Sequence, residues 1–266
     1  MFGSSGDYWT ATRHPWSCVL FVLPLLAVYE IGLHFLGPTP VAMLRNGADT
    51  WLRSGLASAG MSPAYAAPIA LLLILLTWTL LYRVQAPHDP VGVWIGMAAE
   101  SVVFAGLLYG ISQGLWPVLN SLGGMVEGAR GRLPAMALSP LLDEASGARG
   151  SQPALVNLVR YIGAGIYEEA LFRLLFFSGM IAAFNLADLP RRWGIGFASV
   201  VSSLVFAGAH NLGPSGEAFQ ASLFLFRTLA GAYFAWLYCV RGFGIAVGAH
   251  AGYDVLVGLF MQPATY

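Results

Sequence analysis

Seven apolar stretches, each close to the length of a membrane-spanning helix, constrain the fold of this chain most strongly. A helix needs about 20 mostly apolar residues to cross the hydrocarbon core. The chain is 57% hydrophobic and 10% charged, whereas soluble domains carry about 25% charged residues. The sequence therefore predicts an all-α fold, a polytopic transmembrane helical bundle with about seven spans, near 16–36, 64–83, 92–116, 154–186, 194–211, 219–240 and 243–261.

The hydrophilic segments divide the predicted bundle into two regions. Residues 120–152 are rich in glycine, serine and proline, which predicts a loop. We therefore expect a three-span N-terminal region over residues 1–150 and a four-span C-terminal region over residues 151–266. Residues 42–61 mix aromatic, aliphatic and charged side chains, which favours either a helix lying along the interface or an ordinary amphipathic loop helix.

The net charge and the positions of the arginines bear on the partners of the protein and on its orientation in the membrane. A formal net charge of zero gives no bulk attraction to nucleic acid, so no nucleic-acid partner is expected. Arginines flank the predicted spans in equal numbers on both sides, but those on the N-terminal side lie closer to span ends. This distribution favours a cytoplasmic N-terminus in a multi-pass protein of the cell membrane, with the lipid bilayer as its surroundings.

Ionisable residues occur in groups within three C-terminal spans, although each costs at least about 2.5–3.5 kcal/mol at mid-bilayer. Charged groups are unstable against lipid, so we expect the acids and histidines that lack a local partner to converge on one hydrated internal cavity. The ionisable residues are Glu168, Glu169 and Arg173 in the fourth span, His210 at the end of the fifth, and His250 and Asp254 in the seventh.

Helical spacing separates these residues by role. Glu169 and Arg173 are four residues apart and share a helix face, so they are predicted to form a structural ion pair. Glu168 is rotated by about 100° from Glu169 in a regular helix, which predicts that it points elsewhere and is available for chemistry. Outside these groups, Glu100 and Arg227 are predicted to pair across helices, with contact to substrate or lipid headgroups as the alternative for each.

Three short motifs follow one another within separate apolar segments: Glu-Glu-x-x-x-Arg, Phe-x-x-x-His and His-x-x-x-Asp. Over residues 154–261 this order resembles the CPBP family of intramembrane proteases, which includes the CAAX prenyl endopeptidases and Abi-related bacterial proteins. The last motif ends in Asp254, where the prenyl endopeptidases usually carry asparagine. The resemblance does not extend over residues 1–150.

The resemblance implies an intramembrane endopeptidase with its active site in the C-terminal four helices. It implies that Glu168 and His210 activate a water molecule, and that His250 and Asp254 stabilise the oxyanion or orient the water. Glu169 and the arginine that pairs with it are implied to be structural. The implied partner is a membrane-tethered or lipidated peptide or protein substrate, and no cofactor is expected.

Three alternatives remain open at this point. Glu168, His210 and His250 offer nitrogen and oxygen ligands for zinc, although the sequence has no His-Glu-x-x-His motif. A proton-coupled or ion-coupled transporter also uses intramembrane carboxylates, but transporters are often built from repeats and no repeat is visible here. The third alternative is a non-catalytic immunity or scaffold protein of the same fold, against which the intact glutamate and histidines argue.

Overall fold

The computed structural model describes residues 5–35, 44–82, 89–130, 154–213 and 216–260, and within these ranges the chain forms helices and no β-strand. The predicted all-α polytopic bundle is confirmed. The helices are α1 Ser5–Ala11, α2 Pro15–Phe35, α3 Gly47–Ser58, α4 Ala66–Tyr82, α5 Pro90–Arg130, α6 Ala154–Leu186, α7 Arg191–Ala209, α8 Ala221–Arg241 and α9 Phe243–Phe260.

Each of the seven predicted spans corresponds to a helix, but the helices differ in length. Among the described residues, six helices are long and apolar enough to cross a membrane, namely α2, α5, α6, α7, α8 and α9. The predicted span near 64–83 forms α4, which has 17 residues. At a rise of 1.5 Å per residue this helix is about 26 Å long, somewhat shorter than a typical hydrocarbon core.

The prediction of a loop over residues 120–152 is wrong for its first part, because residues 120–130 continue α5. Glycine has low helix propensity, but tertiary contacts stabilise this end of the helix. Leu119 is buried in a cluster with α8. Gly123 lies so close to α8 that an added Cβ would be 2.8 Å from the Ser222 backbone nitrogen. Residues 131–152 of the predicted loop lie outside the described residues.

Close helix packing places α9 beside both α5 and α6. Gly165 of α6 faces the α9 backbone, where an added Cβ would lie 2.7 Å from the Ala251 nitrogen. On the other side of α9, Gly248 faces Ser101 of α5 at a similarly close approach. Small residues allow helix backbones to approach in this way, and here they bring the helix with the two glutamates next to the helix with His250.

The predicted interfacial helix forms α3, but its charged face points into the protein. Asn46 caps the helix by accepting a hydrogen bond from the Asp49 backbone N–H at 2.7 Å. Asp49 is 0% exposed and Arg53 is 5% exposed. The pattern of mixed residues therefore predicts the helix correctly, whereas the charges of this helix contact the bundle rather than the membrane surface.

We call Glu30, Arg45, Asp49 and Arg53 the N-terminal ion-pair cluster. Asp49 accepts bonds from Arg45 at 2.7 Å and Arg53 at 2.6 Å, and Glu30 lies 2.6 Å from Arg53 and 3.2 Å from Arg45. Burial opposes the charge on Arg45, but hydrogen bonds and Coulomb attraction to Asp49 and Glu30 raise its pKa overall. Two acids and two arginines thus balance one another and fasten α3 to α2.

The predicted pair between Glu100 and Arg227 is wrong. Glu100 binds Arg241, with oxygen to nitrogen distances of 2.5 and 2.7 Å, and accepts a bond from the Tyr8 hydroxyl at 2.9 Å. Arg227 instead pairs with Glu217 at 2.6 Å. The two arginines are 14 residues apart on α8, about 21 Å along the helix, so only Arg241 lies at the end of the bundle that holds Glu100.

Candidate active site

Three helices bring the predicted catalytic residues to the wall of one cavity. Glu168 lies on α6, His210 directly follows α7, and His250 and Asp254 lie on α9. All four line a cavity of about 280 Å³, which we call the α8 cavity because α8 supplies much of its wall. The convergence expected from the cost of intramembrane charge is therefore present, while the chemical roles of the four residues stay predictions.

Glu168 lies between the two histidines. Its Oε2 atom is 3.8 Å from His210 Nε2 and 3.7 Å from His250 Nε2. The same oxygen is buried and has no hydrogen-bond partner among the described residues. These separations are too long for direct hydrogen bonds and are of the size that a bridging water spans.

The end of α7 fixes the orientation of His210. The helix ends at Ala209, and His210 Nδ1 lies 2.9 Å from the Phe206 carbonyl oxygen. A carbonyl oxygen only accepts hydrogen bonds, so Nδ1 carries the proton in this contact. In the neutral ring, Nε2 is then a hydrogen-bond acceptor that faces Glu168.

Glu169 and Phe234 hold the ring of His250. His250 Nδ1 lies 2.8 Å from Glu169 Oε1, and the ring stacks on Phe234 with centroids 4.4 Å apart. This arrangement directs Nε2 toward Glu168 and also toward Asp254, whose Oδ2 is 3.7 Å away. Local sequence patterns do not indicate that Glu169 orients His250, because the contact joins helices that are distant in the chain.

The predicted ion pair between Glu169 and Arg173 is present, with both residues fully buried and 3.2 Å between Oε1 and Nη1. Arg173 also donates to the Gly231 carbonyl at 3.0 Å and lies over the Phe206 ring, 4.6 Å from its centroid. The expected separation of the two glutamates is only partly correct. Glu168 and Glu169 face opposite nitrogens of the same imidazole ring.

A π-helical segment begins immediately after Glu169 and covers Ala170–Phe177. The Ser178 N–H donates to the carbonyl of Arg173, five residues earlier, as in a π-helix. Such segments occur frequently at functional sites. The widened turn departs from the regular spacing on which the sequence prediction of side-chain directions was based.

The wall of the α8 cavity includes residues that the sequence analysis missed. From α5 it takes Ser112, Gln113 and Trp116, although this helix was assigned to the N-terminal region. From α8 it takes aromatic side chains and one charged side chain, Arg227. An arginine within an apolar span is the signal available in the sequence, but the spacing predicts a pair with Glu100 and not a place in this cavity.

A second cavity of about 220 Å³ lies on the α3 side of the site, and we call it the α3 cavity. Glu168 and His210 line it as well as the α8 cavity. Arg45 and Trp51 from the α3 region and Arg160 from α6 contribute to its wall. The glutamate and His210 therefore lie between two cavities that differ in lining, one rich in aromatic side chains and the other rich in polar groups.

A hydrogen bond connects the N-terminal ion-pair cluster to this site. Tyr167, which directly precedes Glu168, is 0% exposed and donates to Glu30 Oε1 at 2.7 Å. Its ring also packs against Tyr29 of α2, with centroids 5.6 Å apart. The position of α6 at the glutamates is thus set partly by α2, outside the C-terminal region.

Metal binding places its own requirement on the geometry, since zinc ligands lie about 2.0–2.2 Å from the metal. Among the described residues, no group of three or more histidine, cysteine, aspartate or glutamate side chains is arranged to hold a metal ion. Glu168, His210 and His250, the ligands of the zinc alternative, are the nearest candidates and would have to move toward a common centre.

Comparison with known protein families gives a match in the C-terminal region. Residues 150–256 match the family model described as "Type II CAAX prenyl endopeptidase Rce1-like". The matched range includes all six residues that the motifs selected, and it confirms the resemblance to the CPBP and CAAX proteases. No curated protein and no solved structure matches the chain.

Proposed function

We propose that Glu168 and His210 activate a water molecule for peptide hydrolysis within the bilayer. The match of residues 150–256 to the Rce1-like family of type II CAAX prenyl endopeptidases supports this proposal. The chain is a multi-pass membrane protease. The mechanism within that class is our proposal.

One observation supports the mechanism above all others. Glu168 Oε2 lies 3.7–3.8 Å from the Nε2 atoms of two histidines that come from two other helices. A water molecule has two protons to donate, and the carboxylate and the neutral His210 ring both accept. A water bound between them is therefore polarised by two acceptors and presents its oxygen lone pair to a substrate carbonyl.

The proposed reaction proceeds in two steps. Glu168 takes one proton from the water as the oxygen forms a bond to the carbonyl carbon, and the carbonyl oxygen becomes an oxyanion. The C–N bond then breaks, the oxyanion returns to a carbonyl, and Glu168 gives its proton to the leaving nitrogen. One water is consumed, and the products are a carboxylic acid and an amine.

His250 is proposed to stabilise the oxyanion. Glu169 accepts from Nδ1, so a doubly protonated ring has Nε2 as a donor that faces the cavity. Asp254 lies 3.7 Å from the same nitrogen and would orient the ring or the water. Because Phe234 stacks on the ring, the direction of this donor is set before substrate binds.

The proposed substrate is a membrane-tethered or lipidated peptide. The α8 cavity has an aromatic and aliphatic wall beside the polar residues, which suits a peptide segment held close to lipid. We also propose that the protein resides in the cell membrane with a cytoplasmic N-terminus, as the distribution of arginines favours.

The test uses the full chain in proteoliposomes with prenylated and unprenylated membrane-tethered peptides. Glu168→Gln and His210→Gln should each lower kcat by at least about a hundredfold, the range typical of a lost general base. Asp188→Asn is the matched control, since this aspartate lies in the exposed connection after α6 with φ 53°, a conformation that asparagine also tolerates. Unchanged cleavage by Glu168→Gln would end the assignment.

Zinc-dependent hydrolysis by the same residues is the alternative that the experiment must separate. We propose that no metal participates, so cleavage should persist within about twofold in EDTA or 1,10-phenanthroline. Loss of activity with a chelator, restored by zinc, would replace the proposed mechanism with one in which Glu168, His210 and His250 hold the metal.

A further inference from the structure

Two cavities meet at Glu168 and His210, and their walls differ in chemistry. On one side, α8 gives the α8 cavity a wall of mainly aromatic and aliphatic side chains. On the other side, the α3 cavity takes Arg45, Asn46 and Arg160 into its wall. The water molecule that Glu168 is proposed to activate therefore reaches it from one of these two sides.

The wall of the α3 cavity contains buried polar atoms of the kind that bound water satisfies. Asn46 uses Oδ1 to cap α3, whereas its Nδ2 is buried and has no hydrogen-bond partner among the described residues. The same holds for Oε2 of Glu168, which lines the same cavity. A donor and an acceptor of this kind are the groups that buried waters usually bind. The cavity volume of about 220 Å³ is several times the ~30 Å³ that one water occupies in the liquid.

The α3 cavity extends to a surface of the bundle where helices end. Because α7 ends at Ala209 and α8 begins at Ala221, the connection between them lies at the end of two spans. Leu212 in this connection lines the cavity and is 63% exposed. Gly47, the first residue of α3, is also exposed and lines the cavity. The cavity thus joins exposed residues at the end of the helices to Glu168.

We propose, on the basis of the peptidase function given above, that the α3 cavity is a water-filled entrance to the active site. Water reaches Glu168 through this cavity, while the substrate occupies the α8 cavity on the other side of the glutamate. Each cleaved bond consumes one water, which is then replaced without passing the substrate. Since α3 lies outside residues 150–256, which match the family model, this entrance is built partly by the N-terminal region.

The first test measures whether a charged reagent reaches the α3 cavity. Ala209→Cys places a thiol on its wall, in a parent protein that carries Cys239→Ala and keeps the buried Cys18. Leu73→Cys is the control, since Leu73 is 58% exposed on the apolar helix α4. In proteoliposomes with a charged methanethiosulfonate on both sides, Ala209→Cys should be labelled at least about tenfold faster, because charge is costly within the bilayer. Equal labelling of the two thiols would overturn the inference.

A bound substrate analogue distinguishes a water entrance from a substrate site. The probe is the membrane-tethered peptide that wild type cleaves fastest, with a methyleneamine group in place of the scissile amide, at a concentration that stops cleavage. Labelling of Ala209→Cys should change by less than about twofold when the analogue is bound, because the substrate is proposed to occupy the α8 cavity. Protection of this thiol by the analogue would show that the α3 cavity holds substrate and would reject the inference.

The second test fills the entrance with a side chain. An added Cβ at Gly47 would meet no atom within 4 Å, and the indole of Gly47→Trp would displace waters that hydrogen-bond the one at Glu168. This variant should lower kcat at least about fivefold with KM unchanged. Gly55→Trp is the matched control, since Gly55 lies on the same helix, is exposed and also has no atom within 4 Å of an added Cβ. An unchanged kcat in Gly47→Trp would overturn the inference.

Thiol labelling does not require catalysis, so it separates this inference from the proposed function. If Glu168→Gln still cleaves substrate, the proposed function fails, whatever the labelling shows. If Glu168→Gln is inactive but Ala209→Cys is labelled no faster than Leu73→Cys, the peptidase assignment stands and only the water entrance fails.

Discussion

The protein contains two clusters of intramembrane or buried charge, and they are built differently. In the N-terminal ion-pair cluster, two acids and two arginines bind one another at 2.6–3.2 Å. Around Glu168, the distances to both histidines are 3.7–3.8 Å and one oxygen has no partner among the described residues. Buried charged groups that contact one another directly stabilise a fold. Buried charged groups whose partners lie beyond hydrogen-bond distance leave room for a water molecule or a substrate group.

The candidate site combines both kinds of contact. The ion pair between Glu169 and Arg173 is direct and fully buried, with 3.2 Å between Oε1 and Nη1, although Glu169 Oε2 and Arg173 Nε have no hydrogen-bond partner among the described residues. Glu169 also binds His250, so the residues around Glu168 are held in part by this pair. The comparison predicts that substitutions in the direct ion pairs lower stability, while substitutions at Glu168 lower activity.

The largest expected effect is that of Glu168→Gln, measured now for both activity and stability. We expect kcat to fall by at least about a hundredfold, while the free energy of unfolding changes by less than about 1 kcal/mol, since the exchanged oxygen has no protein partner to lose. Cleavage assays and thermal unfolding in detergent measure the two. A large loss of stability in Glu168→Gln would show that Glu168 stabilises the fold as the N-terminal ion-pair cluster does, and would contradict the contrast between the two clusters.

Asp49→Asn should have the opposite effect, with a large loss of stability and little change in the rate of cleavage. The change leaves the positive charges of Arg45 and Arg53 short of a partner, which costs about 3–5 kcal/mol when a buried pair is broken. The folded fraction should cleave substrate within about threefold of wild type. Thermal unfolding measures the loss, and Asp188→Asn, which is exposed, should change stability by less than about 0.5 kcal/mol.

Tyr167→Phe tests the connection between the two clusters. It removes the bond to Glu30 and should cost about 1–2 kcal/mol of stability. As Tyr167 is 0% exposed, it acts only through the position of Glu168, so kcat should fall about threefold to tenfold with KM unchanged. Tyr65→Phe is the matched control, since Tyr65 is 64% exposed. A change confined to KM would contradict a positioning role.

Asp254→Asn should have the smallest effect and is chemically the same change as Asp49→Asn. Asp254 is 3.7 Å from His250 rather than in a tight pair, and the resemblance places asparagine at this position in the prenyl endopeptidases. We expect kcat to stay within about tenfold and stability within about 1 kcal/mol. A loss as large as that of Asp49→Asn would show that the looser cluster is also held by its charges.

The position of each cluster along the chain explains how much of it was predictable. Glu168, His250 and Asp254 stand in apolar helices and His210 directly follows one. A charge has no local reason to occur there, so the sequence points to these residues directly. Asp49 and Arg53 stand in a polar stretch, where the same residues are ordinary surface groups. Their burial follows from α3 packing against α4 and α6, which no local pattern encodes.

The amino-acid sequence by itself determined the helices, the membrane location and the residues that bring charge into the bilayer, because hydrophobicity and helical spacing are local properties. The tertiary structure alone decided that Glu169 holds His250, that Arg241 rather than Arg227 binds Glu100, and that Arg227 reaches the cavity. These contacts join residues far apart in the chain. Their partners are chosen by how closely the helices pack, and that depends on every small residue along the interfaces.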